Sequence, residues 1–170
     1  MDKRYLSSLL CGFGAAVLST IPGMNSIACC LLVPIASGLS LLLYKKSQPD
    51  LLKIKTGTGV ILGLLTGIFA ALFASGFEII ITAITKSTDL ISAIPQTENL
   101  IKDMNLGPAA EESIKLLKKM ASEIQTSGFS FLYSIIITLS NLISYSIFGI
   151  LGGVLGTAII NKRKTQNPSK

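Results

Sequence analysis

The stretch Thr56–Thr85 reads TGTGVILGLLTGIFAALFASGFEIIITAIT and carries a single charge, Glu78. Soluble cores are built from apolar runs of about ten residues, whereas a helix needs about 20 to cross the hydrocarbon of a bilayer. The stretch therefore reads as a membrane span. Within it Gly59, Gly63, Gly67, Ala71 and Ser75 recur at a strict four-residue interval. That interval is close to one helical turn, so the five positions line one narrow groove of missing side chains. Helices in lipid gain little from burying apolar surface, and close backbone approach supplies dispersion contacts instead. The groove predicts tight packing against a second helix.

Working outward, residues 129–160 form another apolar run, roughly 48 Å long as one helix at 1.5 Å per residue. That exceeds the hydrocarbon thickness, so the helix is expected to tilt or to protrude at its start. Upstream lie two shorter runs, residues 5–21 and 27–44, separated by Pro22-Gly23-Met24-Asn25-Ser26. Proline followed by glycine ends one helix and turns the chain, which gives a helical hairpin. Pro34, inside the second run, is expected to kink it. The fold class is thus all-α, a polytopic membrane protein with four transmembrane helices in two hairpins. The spans are 5–21, 27–44, 57–84 and 131–160, within a single membrane domain covering 1–170. The first run follows Lys3 and Arg4 and has the look of a secretory signal peptide. It reads as a retained span, because apolar sequence resumes after a short break and Ser8-Leu9-Leu10-Cys11 lacks the small residue a lipoprotein site places before its cysteine.

The small-residue pattern recurs. Ser8, Gly12, Ala16 and Thr20 repeat it in the first span, and Gly149, Gly153 and Thr157, flanked by Gly152 and Gly156, in the fourth. Gly12, Ala16, Gly59, Gly63, Gly67, Ala71, Gly149 and Gly153 are the expected helix-packing positions. Their partners lie either within one chain or on a second copy.

Composition agrees with a lipid environment. The chain is 49% hydrophobic and 14% charged, with a mean hydropathy of +0.63, where a soluble domain carries about 25% charged residues. The basic residues collect between the apolar runs. Lys3, Arg4, Lys45, Lys46, Lys53, Lys55, Lys162, Arg163, Lys164 and Lys170 fall on one side, with only Asp2 and Asp50 as acidic companions. On the other side the hairpin turn is uncharged, and residues 86–128 are nearly balanced. The positive-inside rule then puts both termini in the cytoplasm and makes this a multi-pass protein of the cell (inner) membrane. A net charge of +6 raises the question of nucleic acid. No aromatic and basic platform accompanies the cations, so nucleic acid is rejected as a partner, and the cations read as topology signals and anionic-lipid contacts.

The outward segment, residues 85–128, contains an amphipathic helix over 109–125. Gly107-Pro108 precedes it, Glu111 and Glu112 suit its positive start, and Lys118 and Lys119 suit its end. Ile114, Leu117, Ala121 and Ile124 form its apolar face, widened by Leu116 and Met120. It is expected to lie on the outer surface or cap the bundle, or to act as a lid or partner site. Leu100, Ile101 and Met104 form an apolar cluster that could pack beside it.

Reactive groups are scarce. There is no histidine, and Cys11, Cys29 and Cys30 lie in apolar runs, where they read as small packing residues and not as the four N or S ligands of a structural zinc site. No nucleophile and base pair can be named, so the chain is read as a non-enzyme without catalytic residues, metal or cofactor. Glu78 is the one charge inside an apolar run and hence the default candidate for function in a membrane segment. Counted from a boundary near Thr58 it lies about 20 residues along, roughly 30 Å at 1.5 Å per residue, at the outer interface. The same distance measured outward from Ile160 reaches Ser140 and Asn141. A polar cluster of Glu78, Ser140, Asn141, Ser144 and Tyr145 is therefore expected, with Glu78 hydrogen-bonded to it.

With the spans placed, Gly12-Phe13-Gly14-Ala15-Ala16, the Ile21-Pro22-Gly23-Met24-Asn25 turn, Cys29-Cys30 and Thr58-Gly59-Val60-Ile61-Leu62-Gly63 can be taken together. Combined with a long outward segment before a final helix ending in basic residues, they make the chain resemble a loose set of uncharacterised bacterial and archaeal four-span membrane proteins, of the domain-of-unknown-function kind. The resemblance implies a fold type and no activity. The function expected is that of a structural, assembly or interaction component whose partners are the lipid bilayer and a second copy or another membrane protein. The alternative is a small channel or transporter component with Glu78 on a polar path.

Overall fold

The computed structural model describes residues 3–21, 28–48, 53–104 and 107–166, all-helical with no strand among them. Six helices follow one another: α1 (Lys3–Ser19), α2 (Val33–Lys46), α3 (Thr56–Thr85), α4 (Asp89–Met104), α5 (Pro108–Ser127) and α6 (Phe131–Gln166). Two of them, α3 and α6, are long and apolar enough to cross a membrane. At 36 residues, α6 is about 54 Å long at 1.5 Å per residue. The expected turn at Pro22-Gly23-Met24-Asn25-Ser26 lies outside the described residues, as do Asp2, Asp50 and the tail from 167.

Pro34 lies inside a continuous helical run, residues 28–46. A π-helical turn, Ala28–Leu32, runs into α2, and Pro34 occupies the first turn of α2. A first-turn proline needs no amide partner, and its fixed φ suits the start of a helix. The run changes from π to α geometry just ahead of the proline.

The chain forms two compact units. The first, Met1–Phe77 with Thr138–Lys170, is a four-helix arrangement whose order can be read from its closest approaches. Ser8 of α1 meets Ser40 of α2 and the Leu62 carbonyl of α3. Gly12 lies against Thr66, Phe69 and Ala70 of α3. On α6, Gly152 lies against Pro34 and Gly156 against Gly38, both on α2, while Gly149 and Gly153 face α3. Each helix thus has two neighbours, in the cyclic order α1, α2, α6, α3. Residue numbers rise together between α1 and α3 and between α2 and α6, and run oppositely between α3 and α6. In chain order α1, α2, α3, α6 the helices therefore alternate in direction, with the parallel pairs α1–α3 and α2–α6 side by side, and the start of α1, the end of α2, the start of α3 and the end of α6 share one end of the unit.

Its interior is small and hydroxylated. Ser7, Ser8, Ala15, Ala16, Ser37, Ser40, Thr66, Ala70, Ala71, Ala74, Ser75 and Thr157 are buried, while Leu6, Leu10, Phe13, Leu39, Leu72, Ile143, Ile147, Leu151 and Leu155 are exposed. Larger buried side chains gather toward the shared end, where Leu41, Tyr44, Ile54, Leu62 and Ile160 form one cluster.

The second unit, Glu78–Ile137, holds the end of α3, the helices α4 and α5, and the start of α6. Met120, Ile124 and Tyr133 form its centre, with Leu90, Ile91, Leu117 and Ile137 packed around them. The amphipathic helix expected over 109–125 is α5, with Pro108 in its first turn and Gly128 closing it at a left-handed φ of 78°. Ahead of it, the expected Leu100, Ile101 and Met104 cluster proves to be the end of a full helix, α4, which packs on α5 and is tied to it by a Lys118–Glu98 ion pair at 2.8 Å.

Candidate functional site

The closest packing in the first unit is between α3 and α6. A Cβ built on Gly63 would fall on the carbonyl oxygen of Gly149, and one on Gly149 on that of Gly63. Gly59 and Gly153 repeat the relation, and Gly67 meets the carbonyl of Tyr145. The two backbones touch at three successive levels over about two turns, which only missing side chains allow. Thr157 fills the space above Gly59 and turns its hydroxyl back to its own helix, donating to the Gly153 carbonyl at 2.8 Å. Thr66 does the same to Leu62 at 2.7 Å. Such back-bonding lets a hydroxyl be buried while its hydrogen-bonding capacity is met within the helix.

Further along the same antiparallel register, Asn141 donates from Nδ2 to Ser75 Oγ at 3.1 Å. Ala71 and Tyr145 lie in the core between, with Ala15, Ala16 and Ala74. Of the expected packing positions, Gly12 of α1 lies against α3, Ala16 and Ala71 lie in the core, and Gly59, Gly63, Gly67, Gly149 and Gly153 lie on the α3–α6 seam. The seam lies within one chain.

Toward the shared end a smaller polar group bridges three helices. The hydroxyls of Ser8 and Ser40 are 3.3 Å apart, and Ser8 also donates to the Leu62 carbonyl at 3.3 Å. Nearby in sequence, Ser37 is fully buried and its hydroxyl has no hydrogen-bond partner among the described residues.

In the second unit, Glu78 accepts a hydrogen bond from the Tyr133 hydroxyl at 2.9 Å. The Tyr133 and Thr88 hydroxyls are 2.8 Å apart. A phenol has one proton to donate; with that proton given to the carboxylate, Thr88 is the donor to Tyr133. The chain Thr88, Tyr133, Glu78 joins the last turns of α3, the residue before α4 and the first turn of α6. Beside it Ser130 donates to Glu123 at 2.6 Å, and the Lys86 ammonium donates to the Thr126 carbonyl at 3.2 Å. Tyr133 and Thr88 are the members of this hydrogen-bonded network that the sequence did not single out. Depth counting could not find them, since it matches Glu78 to Ser140 and Asn141, about two turns along the helix from Tyr133. Of the cluster expected around Glu78, Asn141 is paired with Ser75, Tyr145 is buried in the first unit and Ser140 is exposed.

Chemically, the seam can hold helices together and the Glu78 network can hold or pass a proton between hydroxyls and one carboxylate. Among the described residues no group of three histidine, cysteine, aspartate or glutamate side chains comes together. Comparison with protein-family models, with curated proteins and with solved structures returns no match.

Proposed function

We propose that this chain is a multi-pass protein of the cytoplasmic membrane, with four spans contributed by α1, by the π-helical turn with α2, by α3 and by α6, and that it serves as a structural or assembly component there. The observation that carries the reading is the inverted packing of the first unit, with glycine, alanine, serine and threonine inside and leucine, isoleucine and phenylalanine outside. In water such a surface would be a large aggregation-prone patch; in lipid it is simply solvated, and small residues at helix contacts supply the association. Charge supports the orientation. The first unit has ten basic residues against two acidic, the second five against seven, and the positive-inside rule puts the basic end and both termini in the cytoplasm.

A second reading, a channel or transporter component, draws on the Thr88, Tyr133 and Glu78 chain, since an ionisable residue in a span is a default candidate for a proton or cation path. Flux through liposomes separates the two. Purified wild type and Glu78→Gln, reconstituted and tested for ion and solute leak, are both expected to be tight; flux that depends on Glu78 would overturn the structural reading in favour of transport.

A further inference from the structure

The end of the first unit where α1 and α3 begin and α2 and α6 finish is an organised surface as well as a charged one. Asn161, on α6, grips the segment before α3 from both sides. Its Oδ1 accepts from the Ile54 amide at 3.2 Å, and its Nδ2 donates to the Ile54 carbonyl at 2.9 Å. Ile54 itself is 2% exposed and packs with Leu41, Tyr44, Leu62 and Ile160. Side chains on either side of a residue pinned in this way must point elsewhere, and Lys53 and Lys55 are both exposed. Tyr44, in the same cluster, carries Arg4 over its ring at 5.8 Å from the centroid, and Lys45 and Lys46 follow it. Lys162 follows Asn161. Six cations from four chain segments are thus brought to one apolar cluster, and the five lysines make no ion pair among the described residues.

We propose that this end binds the headgroups of anionic phospholipids, with Lys53 and Lys55 held in place by the Asn161 clamp as its central pair. Charge complementarity selects that occupant: the phosphate of an anionic headgroup meets ammonium groups borne on an anchored stretch of backbone, while the exposed Leu42, Leu43 and Ile61 lie within reach of acyl chains. The inference rests on the membrane reading given above. Each lysine near an anionic leaflet strengthens binding about fivefold, so the pair discriminates strongly against a net-neutral lipid.

The test uses the full chain in neutral detergent micelles titrated with phosphatidylglycerol or phosphatidylcholine, with thermal stabilisation as the readout. Phosphatidylglycerol is expected to stabilise at a lower concentration than phosphatidylcholine, and the preference is expected to fade with added salt. Lys53→Gln with Lys55→Gln should raise the half-saturating concentration about 30-fold. Lys115→Gln with Lys119→Gln, in the second unit, should leave it unchanged. Asn161→Ala should weaken the preference while all six cations remain; should that variant fail to fold, the paired lysine variant still decides, since both side chains are exposed. Equal stabilisation by the two lipids, or an undiminished preference in the Lys53 and Lys55 variant, would overturn the proposal. So would inorganic phosphate or a DNA oligonucleotide acting at the same concentration as phosphatidylglycerol. Alkaline extraction of native membranes keeps the two ideas apart: protein in the supernatant defeats the membrane reading itself, and protein in the pellet without lipid preference defeats only this one.

Discussion

Gly63 and Gly149 face each other so closely that a side chain on either would occupy the other's carbonyl oxygen. Gly76, on the same helix as Gly63, has open space around it. Gly63 and Gly76, both on α3, should therefore respond differently to alanine. Gly63→Ala is expected to lower stability by about 1–3 kcal/mol through overpacking, and Gly76→Ala to be neutral or stabilising by up to about 1 kcal/mol through helix propensity. Gly63→Ile and Gly67→Ile should be worse still, and far worse than Leu64→Ile. Thermal unfolding in detergent reads these changes; equal tolerance at Gly63 and Gly76 would count against the seam.

Tyr133 sits between Thr88 and Glu78 and satisfies both. Tyr133→Phe removes two hydrogen bonds at once and leaves a half-buried carboxylate without its phenol. Bonds to charged groups are worth about 1.5–3 kcal/mol, so a double-mutant cycle of Tyr133→Phe with Glu78→Ala should give a coupling of about 1–2 kcal/mol. A coupling near zero would mean that the network does not hold the second unit together.

Gly128 and Gly107 both have φ near 78°, yet only Gly128 is also crowded, with a Cβ there 2.6 Å from the Ala83 carbonyl oxygen. Alanine at Gly107, where ψ is −176°, should cost about 1–3 kcal/mol for a backbone conformation essentially confined to glycine. Alanine at Gly128 costs about 1–2 kcal/mol for the left-handed backbone and about 1–3 kcal/mol more for the clash, and should be the more damaging. Thermal denaturation of the two variants checks the order, and a larger loss at Gly107 would contradict it.

Ser37 and Ser8 are both fully buried, but the Ser37 hydroxyl lacks the partners that Ser8 has. Removing an unsatisfied buried hydroxyl relieves a desolvation cost of about 1–3 kcal/mol, whereas removing a satisfied one forfeits about 1 kcal/mol and strands its partner. Ser37→Ala is expected to raise the melting temperature and Ser8→Ala to lower it.

Much of this was legible in the sequence because helix geometry is periodic. A four-residue interval from Gly59 to Ser75 and the Gly149 and Gly153 pair sufficed to name the contact faces, and Gly107-Pro108 sufficed to start α5. Which face meets which did not follow, since identical glycine grooves fit one another within a chain or between copies. The helix α4 was hidden by Pro95, a residue that breaks a helix ladder in its interior, and by the polar residues around it. Tyr133 was hidden differently. Its partners Glu78 and Thr88 stand 55 and 45 residues away, and no local pattern marks a pairing at that separation. The π-helical turn before Pro34 likewise carries no signature beyond the proline itself.

The orientation of the spans is tested most directly by labelling intact cells with a membrane-impermeant maleimide. In a background where Cys11, Cys29 and Cys30 are replaced by alanine, single cysteines are introduced by Lys46→Cys, Lys115→Cys and Lys162→Cys, at three exposed positions. Lys115→Cys is expected to react from outside, and the other two only after the membrane is permeabilised. Reaction of all three from the same side would contradict four spans with both termini in the cytoplasm.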